Sequence, residues 1–108
     1  MNDNKLAKQG EKLTVRVNSE FRDLIPEFLE ALKNDVNALQ RALGQDDYQA
    51  ICKMGHSLKG MGGSCGFDAI TDMGGDLENA AKAMRPEDIR KIVEMLALYI
   101  EQVEVVYD

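Results

Sequence analysis

QDDYQAICKMGHSLKGMGGSC, residues Gln45 to Cys65, reads as one amphipathic helix carrying the only histidine of the chain, His56. At about 100° per residue, Ile51, Met54, Leu58, Met61 and Cys65 recur at steps of three and four and form an apolar stripe. His56 points away from that stripe, among Gln49, Cys52, Lys53, Lys59, Gly60 and Gly63. An imidazole on a solvated face between two lysines is placed for chemistry rather than for packing. Gly55, Gly60, Gly62 and Gly63 crowd the same region, although each costs a helix about 1 kcal/mol against alanine. Bare backbone lets another body approach closely, so Gly60 and Gly63 are expected to leave the imidazole standing clear. The plainer use of these glycines is close helix packing, or for Gly62 and Gly63 the helix end.

Upstream, Ile25, Leu29, Leu32, Val36, Leu39 and Leu43 repeat at helical spacing, and Phe28 widens the stripe. Pro26 suits the first turn of that helix, and Gly44 is expected to cap its end. Asp46 and Asp47 then favour the N-terminus of the histidine helix. Downstream, Phe67 or Asp68 opens a third helix, with Asp68 as its expected N-cap. Its stripe is Ile70, Met73, Leu77, Ala80 or Ala81, and Met84. Pro86 opens a fourth, whose inward residues are expected to be Ile89, Ile92, Val93, Leu96, Tyr99 or Ile100, Val103 and Val106. The predicted fold is all-α: an antiparallel up-down four-helix bundle over residues 19–108, with a short extra helix at its N-terminal side capped by Asn18 or Ser19. Residues 1–18 read as a flexible tail ending in an extended lead-in, Leu13–Val17, the one segment with strand-like alternation.

With 108 residues, one domain is expected. The net charge of −6 argues against nucleic acid and against an anionic membrane surface. No run has the length of a membrane span, and the polar start MNDNKLAKQGEK lacks the apolar core of a signal peptide. A cytoplasmic location and a monomeric state are expected. Cys52 and Cys65 would lie about 20 Å apart on one helix, too far to pair.

His56-Ser57-Leu58-Lys59-Gly60 resembles the His-x-Leu-Lys-Gly signature of histidine-containing phosphotransfer (HPt) domains. Gly66-Phe67-Asp68-Ala69-Ile70 is similar to the start of that family's next helix, and Leu77-Glu78 to the Leu-Glu near its end. Phe28-Leu29 and Asp46-Asp47-Tyr48 resemble the preceding helix and the acidic turn. The likeness spans roughly residues 20–105. Gly55 departs from it, standing where the family usually has alanine, and is expected to matter little. The resemblance implies a phosphorelay intermediate: His56 takes a phosphoryl group from a receiver-domain aspartate and passes it to another. Receiver domains of response regulators or hybrid sensor kinases are the implied partners, and they would supply the Mg²⁺.

The residues allow roles to be assigned. A histidine side chain titrates near neutrality, so a neutral ring nitrogen is available as a nucleophile. Lys59, one turn on, can neutralise phosphate oxygens, and Lys53, one turn back, is a weaker helper. Gly60 provides access for the partner. Ile25, Phe28, Cys52 and Gly63 are candidate partner contacts, with core packing the competing use of Ile25 and Phe28. Met61, at the stripe edge, is a further candidate contact, although core is expected for the methionines generally. Gly55–Gly60 has the glycine spacing of a P-loop, but Met61 stands at the lysine position and no strand precedes it. The chain is thus expected to be a carrier with no ATP site and no cofactor of its own. Cys52 and His56, four apart, are too few for a structural zinc site, so no metal is expected. The competing function is a helical adaptor of the same fold that carries no phosphate.

Overall fold

The computed structural model describes residues 13–108; the tail expected over residues 1–12 lies outside the described residues. Strand β1, Leu13–Val17, leads through a turn of 3₁₀ helix at Ser19–Phe21 into helices α1 (Ile25–Gly44), α2 (Tyr48–Ser64), α3 (Asp68–Lys82) and α4 (Pro86–Gln102), and strand β2, Val103–Tyr107, follows. The connections between helices are three residues each, which forces consecutive helices to run antiparallel. Packing of α1 on α4 closes the ring. The core is continuous: Leu32, Leu39, Ile51, Phe67, Ile70, Leu77, Ile89 and Leu96 are fully or almost fully buried.

The start of each helix follows local chemistry. Pro26 and Pro86 occupy first turns, where the missing N–H costs nothing. The Asp47 side chain caps α2 by accepting from Ala50 N at 3.2 Å. Asp68 is the first residue of α3 rather than its cap; Phe67 holds the cap position without a side-chain bond. The expected extra N-terminal helix is only the three-residue 3₁₀ turn, whose Asn18 side chain accepts from Glu20 N.

The ends of α1, α2 and α3 share one device. Asp46, Gly66 and Met84 have φ of 55°, 89° and 53°. The next N–H reaches back to the carbonyl five residues earlier: Asp47 to Ala42, Phe67 to Gly62, Arg85 to Ala80, as a left-handed cap requires. Gly44, expected as the cap of α1, is instead its last helical residue, and Asp46 takes the left-handed turn. Met84, expected in the α3 stripe, is 65% exposed because this turn carries it off the helix. Met61 and Met95 are also exposed and Met54 is half-buried, so of the described methionines only Met73 is core. Met84→Gly removes a side chain from a left-handed position worth roughly 1 kcal/mol or more of strain. It is expected to raise the melting temperature, as read by thermal unfolding.

The fourth helix departs from expectation at its end. Val103 turns extended (φ −71°, ψ 134°), and Val103–Tyr107 pairs in parallel with β1, Leu13 opposite Val103 and Val17 opposite Tyr107. Val103, Val105 and Tyr107 are half-buried, while Glu104 and Val106 are exposed. Valine-rich sequence gains little from a helix and fits a pleated surface, and β1 supplies the hydrogen bonds. Arg16 Nη1 meets Asp108 Oδ1 at 3.0 Å, and Arg22 stacks 4.9 Å over the Tyr107 ring.

Candidate functional site

Helices α2 and α3 approach until backbone meets backbone. A Cβ on Gly55 would lie 2.7 Å from Glu78 N and 2.8 Å from Gly74 O. One on Gly62 would lie 2.7 Å from Thr71 N, and one on Gly74 would run into Lys59 N and come within 2.7 Å of Gly55 O. The buried residues of α2 are therefore Ile51, Gly55, Leu58 and Gly62; two of the four are glycines. This corrects the apolar stripe expected through Met54, Met61 and Cys65, and it corrects the view of Gly55 as inconsequential. Gly55 lets the Glu78 backbone lie directly over α2, one residue before His56.

That crossing builds the site. The His56 side chain is 72% exposed, in the middle of α2, and Nδ1 lies 3.2 Å from Glu78 Oε2. The Glu78 side chain is only 13% exposed and also meets Lys59 Nζ at 3.8 Å (Oε1) and Lys82 Nζ at 3.6 Å (Oε2). Burial pushes the Glu78 carboxyl up, but Lys82, His56 and Lys59, with the hydrogen bond from His56, outweigh it and hold it below its usual range. An ionised carboxylate only accepts. Nδ1–H of His56 therefore donates to Glu78, which leaves the lone pair of the neutral ring on Nε2.

Lys59 is exposed beside His56 and shares its carboxylate, whereas Lys53 is exposed and is not among the partners of Glu78. Gly60 is exposed with nothing within 4 Å of a Cβ built on it, while Gly63 would come 3.3 Å from Thr71 Oγ1. Access at Gly60 is thus open, and Gly63 is exposed yet close to α3. Cys52 is half-buried with a free thiol. Ile25 and Phe28 are 1% and 9% exposed, so neither offers a partner surface. Phe28 packs on Phe67 with ring centroids 5.2 Å apart, because the broadened stripe faces the α2–α3 turn. The exposed large apolar residues are instead Leu24, before α1, and Met61, Met84, Met95 and Val106. Among the described residues no cluster of three His, Cys, Asp or Glu could hold a metal ion, and no helix is long and apolar enough to cross a membrane.

Glu78 and Lys82 are the site residues that sequence reasoning missed. Their signal was present: glycines at 55 and 74 on facing helices imply close approach, and Glu78 stands one turn beyond Gly74.

The family model described as Hpt domain matches residues 23–105. Searches of curated proteins and of solved structures return no match.

Proposed function

The chain belongs to the Hpt domain family, and on that premise we propose that His56 accepts a phosphoryl group on Nε2 from a receiver-domain aspartate and delivers it to a second receiver. The family's role is that of a histidine phosphotransfer carrier in phosphorelays, not of a kinase. The supporting observation is the exposed His56 ring with Nδ1 3.2 Å from the Glu78 carboxylate; because an ionised carboxylate only accepts, this contact favours the tautomer with Nε2 as the nucleophilic nitrogen.

The Nε2 lone pair attacks phosphorus while the bond to the aspartyl oxygen breaks, its electron pair leaving with that oxygen. Glu78 fixes the ring's orientation and tautomer throughout. Lys59 neutralises charge on the phosphoryl oxygens as they arrive, and Gly60 leaves room for the receiver. The receiver brings the carboxylate and the Mg²⁺. A monomeric carrier suits alternate encounters with two receivers. The experiment is incubation with a phosphorylated receiver domain, scored for acid-labile, base-stable phosphate on this chain; a chain that binds the receiver but takes up no phosphate would be an adaptor instead.

Two substitutions probe the roles. Lys59→Ala removes one neutralising charge and keeps the acceptor. Charge-assisted contacts are worth about 1.5–3 kcal/mol, so transfer rates in both directions are expected to fall by roughly ten- to a hundredfold. Gly60→Glu places a negative side chain one turn from His56 where nothing crowds a Cβ. It is expected to melt like the wild type and to lose transfer in the same assay; normal uptake would overturn the access role of Gly60.

A further inference from the structure

We propose that Glu78 keeps the Nδ1 proton on His56 after the phosphoryl group has arrived, so that the carrier holds a cationic phosphoimidazolium poised to discharge. The inference rests on the reading of His56 as the phosphoryl acceptor. When Nε2 gains phosphorus and Nδ1 keeps its proton, the ring bears a positive charge. It must then be stabilised as a cation or lose the proton. The group facing that proton is a carboxylate, 3.2 Å away and 13% exposed, rather than a neutral amide.

The consequence lies in the N–P bond. On discharge its electron pair returns to Nε2. If Nδ1 is protonated, the departing group is neutral imidazole; if it is not, the departing group is an imidazolate anion, a far poorer leaving group. Phosphorus passes to a receiver carboxylate oxygen, or to water with the water proton released to solvent. The Nδ1 proton stays in place in both cases, so uptake and discharge need no proton transfer at the ring.

An opposite charge at this range favours a charged group by about 1–3 pH units. Lys59 from α2 and Lys82 from α3 draw on the same carboxylate, and Lys53 stands one turn back on α2. All three lysines moderate the pull of Glu78 on the ring.

The test charges the full chain with phosphoramidate, a small donor that phosphorylates imidazoles, and follows phosphohistidine decay by ³¹P NMR from neutral to alkaline pH. Glu78→Gln accepts the same hydrogen bond without the charge; Glu78→Ala keeps neither. In the wild type, fast decay is expected to persist to higher pH than in Glu78→Gln. In that window the variant's phosphoryl group lives longer, and Glu78→Ala behaves like Glu78→Gln or more so. Superimposable pH profiles, or faster alkaline decay in Glu78→Gln, would overturn the proposal while leaving His56 as acceptor. Failure of the wild type to form phosphohistidine at His56 would overturn the acceptor reading and this inference with it.

Discussion

His56→Gln is expected to abolish phosphoryl uptake from a receiver domain and from phosphoramidate alike. No other imidazole exists in the chain, and the glutamine amide offers no nucleophilic nitrogen. Stability should hold. The side chain is 72% exposed, and an exposed substitution normally stays within about ±0.5 kcal/mol. Glu78 keeps Lys59 and Lys82 as partners, and a glutamine N–H can replace the lost donor. The measurement pairs a phosphotransfer assay with a thermal melt. A variant that unfolds, or that still takes up acid-labile phosphate, would mean that His56 serves the core or that another group is the acceptor.

The largest loss of stability is expected at Gly74→Ala, ordinarily a favourable change inside a helix. The new Cβ would meet Lys59 N, Gly55 O at 2.7 Å and the Leu58 carbonyl carbon at 3.0 Å. All three are backbone atoms of α2, so no side chain can swing aside and the helices themselves must part. Overpacking of this kind costs about 1–3 kcal/mol, a melting temperature lower by roughly 5–20 °C in a domain of this size. Parting the helices also draws Glu78 from His56, so transfer should fall with stability. Gly60→Ala is the control: nothing lies within 4 Å of its Cβ, and it is expected to gain up to about 1 kcal/mol. Equal melting of Gly74→Ala and wild type would refute the backbone contact between α2 and α3.

The bundle was legible because α1, α3 and α4 carry strong apolar repeats and Pro26 and Pro86 mark two helix starts; in α2 only Ile51 and Leu58 of the expected stripe are buried. His56, Lys59 and Gly60 were legible because they share one polar face of a single helix, where spacing alone places them. What lay between helices was harder to read. Glu78 reaches His56 only through the approach that Gly55 and Gly74 allow, and a pattern along one helix does not say which glycine meets which. Ile25 and Phe28 broaden an apolar face in a way that suits either a partner or a core; Phe67, on the α2–α3 turn, settles it by covering Phe28. The run Val103–Tyr107 has apolar residues at both helical and strand spacing. Pairing with β1, ninety residues earlier in the register, selects the strand, and no local signal carries that information. Met84 fits the α3 repeat on paper, but the left-handed turn at its own position removes it.

The central claim is that His56 carries the phosphoryl group on the nitrogen not held by Glu78. Heteronuclear NMR of ¹⁵N-labelled protein phosphorylated by a receiver domain reads this directly, through coupling of phosphorus to one ring nitrogen. The account predicts a single phosphohistidine, coupled at Nε2 of His56, with a proton retained on Nδ1. Phosphorus coupled to Nδ1, or no phosphohistidine at His56, would contradict it.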